Sequence, residues 1–81
     1  MIIGIKYAPD INYLLYRRAQ TMEDVKKAFE HPTDKLMNLP MACIYDFEKK
    51  SFIEYDESYK RYHGRFSELI SSFNGSQNKS I

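Results

Sequence analysis

The sequence predicts an α+β fold, a two-layer ββαββα sandwich in which an antiparallel four-stranded sheet carries two helices on one face. Three observations predict it. The runs at 2–7 (IIGIKY), 11–18 (INYLLYRR), 41–47 (MACIYDF) and 51–56 (SFIEYD) alternate with the period of two that suits half-buried strands. Two further runs, starting at Thr21 and near Glu57, switch to the 3-to-4 spacing of amphipathic helices. The second hairpin-plus-helix unit follows the first by about 40 residues when Met41 is aligned with Met1, a weak ββα duplication.

The first strand sets Ile3, Ile5 and Tyr7 on one side, and Ala8-Pro9-Asp10 turns the chain because Pro fixes φ and Asp bonds its own backbone. The second sets Ile11, Tyr13 and Leu15 against Leu14, Tyr16 and Arg18. Its aromatic and branched residues suit a pleated surface, although a helix from Asp10 also fits the spacing of Ile11, Leu14, Leu15, Ala19 and Met22. Thr21 is an N-cap, Glu23 and Asp24 fill the first turn of a helix, and His31-Pro32 stops it after Met22, Val25 and Phe29. Residues 31–40 form a loop whose Leu36, Met37 and Leu39 fold back on the core.

The second hairpin turns around Glu48-Lys49-Lys50 and places Met41, Cys43, Tyr45, Phe47, Ile53 and Tyr55 on one face. The last helix, 57–73, carries the stripe Tyr59, Tyr62, Phe66, Leu69, Ile70 and Phe73, and Gly64 bends it at a cost of about 1 kcal/mol relative to Ala. The polar segment NGSQNKSI then frays, so a single domain spans 1–73 and a flexible tail 74–81. Odd-numbered strand positions are the more apolar set in all four strands. They are therefore assigned to the face under both helices, in a core of Ile3, Ile5, Leu15, Val25, Phe29, Ile53, Phe66, Leu69 and Ile70.

Composition narrows the function by exclusion. With 81 residues the core is thin, and 43% hydrophobic against 28% charged residues excludes a disordered polyelectrolyte and a coiled-coil rod. No run is apolar enough to span a bilayer, and the start lacks the pattern of a secretory leader, which places the chain in the cytoplasm. A net charge of +1 supplies no overall field for nucleic acid or anionic lipid, and no acidic excess for mimicry of DNA. The lone Cys43 excludes an intrachain disulfide, and its inward position reads as a small hydrophobe rather than a nucleophile.

His31 and His63 stand too far apart for any ligand spacing, and Gly4, Gly64 and Gly75 are too scattered for a phosphate loop, so neither metal nor cofactor is expected. His63, with Arg65, Glu54 and Asp56, forms an acid/base pair only on paper, and reads as a solvated helix histidine. The expectation is a protein without catalytic residues. Seven tyrosines and five phenylalanines are the unusual feature, and the even-numbered sheet face collects Leu14, Tyr16, Arg18, Ile44, Phe52 and Glu54. Such a mixed patch binds a partner protein, or a second copy in a homodimer. The alternative is nucleic-acid binding through Tyr59, Lys60, Arg61 and Arg65.

In general type, the small α/β domain, the Lys/Ile/Asn/Tyr/Phe-rich usage and the polar NGSQNKSI ending resemble the short proteins by which bacteriophages redirect or block host machinery. That resemblance implies a stoichiometric inhibitor or adaptor acting on a host bacterial protein, in takeover or anti-defence. It assigns no functional residue.

Overall fold

A computed structural model describes residues 1–30 and 39–79, with side chains of the last helix described through Phe73. The element order is β1 (Ile2–Ala8), β2 (Tyr13–Ala19), α1 (Met22–Ala28), β3 (Cys43–Asp46), β4 (Ser51–Tyr55), a 3-10 segment (Glu57–Tyr62) and α2 (His63–Lys79). All neighbouring strands are antiparallel, in the order β2-β1-β3-β4. This is the four-stranded antiparallel sheet with two helices that the sequence predicts, and residues 13–19 are strand rather than helix.

Local chemistry explains the elements. The Thr21 hydroxyl accepts from the Asp24 N–H (3.1 Å) to start α1, with Glu23 and Asp24 at its positive end and Lys26 and Lys27 in its last turn. Four residues, Pro9 to Asn12, close the first hairpin: the Asn12 N–H donates to the Pro9 carbonyl (3.2 Å), and Asn12 takes the left-handed conformation (φ 51°) that Asn tolerates. In the second hairpin the Asp46 carboxylate accepts from the N–H groups of Glu48 and Lys49. Asp56 caps the 3-10 segment, and hydrogen bonds from the Ser58 hydroxyl and N–H hold its carboxyl below the ordinary value.

Register decides the faces. In the first hairpin Ile3 pairs with Arg18, Ile5 with Tyr16 and Tyr7 with Leu14, so odd positions of β1 share a face with even positions of β2. Odd meets odd in β1 and β3. Between β3 and β4 a shift at Ile44/Tyr45 brings both Phe52 and Tyr55 to that same face, opposite Tyr45 and Cys43.

The helices do not lie together on one face, and here the two-layer expectation is corrected. Ile3, Ile5, Tyr7 and Cys43 are buried with Phe66 and Ile70 of α2, whereas Gly4, which points the other way, faces Val25 and Phe29 of α1. The sheet is the middle of three layers. Parity misled because each hairpin loop has four residues, which pairs odd with even positions, and only the second hairpin then recovers the lost step through its bulge. Ile44 accordingly lies buried on the α1 face with Val25 and Phe29, while Leu15 is only half-buried.

Gly4 is the site of closest approach in that second core. A Cβ there would run into Val25 Cγ1 and come within 3.1 Å of both Met41 Sδ and the Phe29 ring. The predicted helix over 57–73 instead begins as a six-residue 3-10 segment and becomes α-helical at His63, beside Gly64 where the sequence predicts a bend. Backbone helix continues to Lys79, into the segment 74–81 read as a tail; Ser80 and Ile81 lie outside the described residues. Of the loop residues expected on the core, Leu39 is half-buried, and Leu36 and Met37 lie outside the described residues.

Two stability measurements check this arrangement. Phe66→Ala, which empties the middle of the α2 core, is expected to cost about 3 to 5 kcal/mol by chemical denaturation, enough to unfold much of so small a domain. Gly4→Ala and Gly64→Ala are expected to move thermal stability in opposite directions: about 1 to 3 kcal/mol lost at Gly4 through overpacking, and about 0.5 to 1 kcal/mol gained at Gly64, where an added Cβ meets nothing within 4 Å.

Candidate functional site

Splitting the helices between two faces also splits the partner-binding set. Leu14, Tyr16 and Arg18 project from β2 on the α2 side. Phe52 shares that face from β4, at the opposite edge and three strand spacings away, roughly 14 Å. Ile44 and Glu54 lie on the α1 side, where Ile44 is fully buried and Glu54 pairs with Lys26 (3.5 Å). The six residues therefore form no single patch: the even-numbered face assumed open belongs to α1 in part and to α2 in part.

What the structure does assemble is the edge formed by β2. This strand pairs with β1 along all seven residues in one unshifted register, and among the described residues no strand lies on its other side. Tyr16 stands edge-on to Phe73 (5.3 Å between centroids) and stays 37% exposed, Tyr13 is 49% exposed, and Ile11 in the adjoining turn is 65% exposed. Next to the edge, Leu14, Arg65, Glu68, Leu69 and Ser72 line a shallow cleft of about 300 Å³ between β2 and α2. Sequence reasoning leaves Arg17 and Glu68 out of the partner-binding set and gives Leu69 to the core, against which this half-buried side chain packs while it also lines the cleft. A signal for the pairing was present in Pro9-Asp10-Ile11-Asn12, whose terminal Asn marks a four-residue loop and hence an odd-to-even register.

The other outer strand, β4, differs. It is five residues long, its register is broken by the shift at Ile44/Tyr45, and it follows a turn carrying Glu48, Lys49 and Lys50. Short length, bulges and charge are the usual means by which a sheet edge discourages pairing. β2 has neither the shortness nor the bulge, and its charge is confined to Arg17 and Arg18.

The nucleic-acid set is partly assembled. Arg61 lies over the Tyr62 ring (4.9 Å) and its Nη2 donates to the Tyr62 hydroxyl, while Arg65 lies over Tyr7 (5.2 Å), whose ring packs against Tyr62. Tyr59 is half-buried beside Tyr62, and burial, with nearby Asp56, raises its phenol above the ordinary value. Lys60 is taken by Glu57 (3.0 Å).

One polar constellation escaped the sequence analysis. His63 bridges two hydroxyls, Tyr55 at Nδ1 (2.8 Å) and Ser67 at Nε2 (3.1 Å), instead of meeting Arg65, Glu54 or Asp56. The order hydroxyl, imidazole, hydroxyl is suggestive, yet a nucleophilic serine needs a carboxylate behind the histidine to stabilise the imidazolium. Burial, with a smaller push from Cys43, raises the Tyr55 phenol to about 12, so it keeps its proton and supplies no such charge. The trio ties β4 to α2. Among the described residues no three His, Cys, Asp or Glu side chains gather where they could hold a metal, and no helix is long and apolar enough to cross a membrane.

No family model matches the chain, and no curated protein or solved structure shows significant similarity to it.

Cys43 gives a chemical check on the core beside this site. Burial raises its thiol from 9.0 to about 12, so folded protein holds this proton more tightly than unfolded chain does. The stability so conferred is complete below pH 9 and is lost as pH rises toward 12. A disulfide reagent at pH 8 is expected to leave native Cys43 unmodified and to titrate one thiol per chain in denaturant; rapid labelling of native protein would contradict the buried placement.

Proposed function

We infer that this protein is a binding module that acts by occupying a partner protein, taking an extended segment of it along the free edge of β2. The observation carrying this reading is the pairing of β2: seven regular residues pair with β1, and among the described residues no strand lies on the other side, where the Arg17 guanidinium holds the Tyr16 carbonyl, with Ile11, Tyr13 and Tyr16 exposed and the Leu14 cleft alongside. Strand addition draws affinity from main-chain hydrogen bonds and specificity from alternate side chains, and a thin domain can perform it. Exposed aromatic residues add contact area at low conformational cost. Binding of this kind suits a stoichiometric inhibitor or adaptor, and the resemblance to phage host-modulating proteins extends it to a host bacterial target.

A second reading has its own observation. Arg61 and Arg65, held over the contacting rings of Tyr62 and Tyr7, offer cations beside aromatic faces, as binders of single-stranded nucleic acid do. Protein binding is preferred because Lys60 of that set is already paired and the Tyr62 hydroxyl is occupied by Arg61.

Affinity capture from bacterial lysate separates the two. The expected outcome is one dominant protein at fixed stoichiometry, resistant to nuclease, retained by Lys60→Glu/Arg61→Glu and lost with Leu14→Glu or Tyr16→Ala, each shown to be folded by circular dichroism. Retention that disappears with nuclease or with the Lys60→Glu/Arg61→Glu pair supports the second reading instead.

A further inference from the structure

We propose that the segment taken by β2 is acidic, with two adjacent carboxylate residues facing Arg18 and Arg17 at its first two positions and apolar residues at its third and fifth. This deepens the reading of β2 as the binding edge and rests on it. All four arginines of the chain lie over aromatic rings: Arg17 over Phe29 (5.7 Å), Arg18 over Phe73 (4.9 Å), Arg61 over Tyr62 and Arg65 over Tyr7. Among the described residues, the ion pairs are made by lysines, and no arginine has a carboxylate partner. A guanidinium laid against a ring has already lost part of its rotamer freedom and still presents N–H donors at its rim. It is thereby prepared for a carboxylate.

Three of these arginines border the free edge. Arg17 projects on the α1 side, where its Nη1 also donates to the Tyr16 carbonyl (2.9 Å), and Arg18 projects on the α2 side, the side on which Arg65 lines the cleft with Leu14 and with Glu68, a carboxylate in the lining that forms no ion pair with Arg65 or Arg18. The strand itself, YLLYRRA, contains no acid. Cross-strand neighbours of opposite charge stabilise a sheet and like charges facing one another destabilise it, so the missing carboxylates belong to whatever pairs there.

A second copy does not supply them. Two-fold pairing of β2 with itself about Tyr16 sets Arg17 against Leu15 and Arg18 against Leu14 of the other copy, and pairing about Arg17 sets two guanidiniums face to face. Either way four arginines share a seam to which neither strand brings an acid. Nucleic acid fits less well, because Arg17 and Arg18 point to opposite sides of the sheet. Alternate side chains of an extended peptide reach both sides, and one phosphate backbone follows only one. Antiparallel addition then orders the partner: acid opposite Arg18, acid opposite Arg17, apolar opposite Tyr16, any residue, and apolar opposite Leu14 over Leu69.

Selection of a random peptide library on the full chain tests this. The expected result is enrichment of adjacent Asp or Glu residues with apolar residues two and four positions after the first. Binding of an enriched peptide, read by fluorescence anisotropy, should weaken with salt and fall about tenfold or more with Arg17→Gln/Arg18→Gln. Arg17→Glu/Arg18→Glu, if folded, should select basic pairs instead. Enrichment of neutral or basic peptides whose binding is lost with Leu14→Glu overturns the acidic class and leaves the edge reading standing. No enrichment, or binding indifferent to both Leu14→Glu and the Arg17/Arg18 variants, overturns both. Concentration-dependent dimerisation through β2, seen by sedimentation and abolished by Leu14→Glu, or displacement of the peptide by an equal concentration of oligonucleotide, overturns the proposal in favour of another occupant.

Discussion

Everything in this molecule depends on the register of its first hairpin. Because Ala8 pairs with Tyr13 across a four-residue turn, apolar Ile3, Ile5 and Tyr7 share a face with Leu14, Tyr16 and Arg18 rather than with Tyr13, Leu15 and Arg17. That pairing puts aromatic and aliphatic groups on both sides of the sheet, and each side must then be covered. Two helices are available, and each takes one side. With the opposite register, apolar positions would have gathered on one face, as a two-layer fold requires.

The two cores that result are unequal. On the α2 side, a chain of ring contacts runs from Tyr62 and Tyr7 through Phe66 to Tyr55 and Phe52, and on to Tyr45, Phe47 and Phe73. The other side relies on a short helix that delivers only Val25 and Phe29 as buried side chains, drawn close by the missing side chain of Gly4. Cations finish that layer, with Lys6 and Arg17 both over the Phe29 ring, so long polar side chains close a core that α1 is too short to cover alone.

Element identity was legible in the sequence because it rests on local signals: alternation in the strands, Thr21 as a cap, the tyrosine and phenylalanine stripe of the last helix. Faces were not, because they rest on pairing. A single residue in a loop or bulge inverts a strand, and alternation alone is blind to that inversion. Hence alternation groups Ile3, Ile5 and Phe66 as the structure does, while it gives Leu14 and Ile44 one surface although the sheet separates them. The tie between His63, Tyr55 and Ser67 is hidden for another reason: Tyr55 does lie on the face read as covered by the last helix, but spacing alone cannot show that His63, read as solvated, reaches it.

The inequality of the two outer strands bears on stoichiometry. A sheet open on both sides can grow by repeated addition, each newcomer offering a fresh border to the next, and such growth ends in fibres. Here one border is long and regular, and the other is short and interrupted. A copy of this chain pairing through β2 would turn the short, interrupted β4 outward, so the fold disfavours growth by repeated addition of copies.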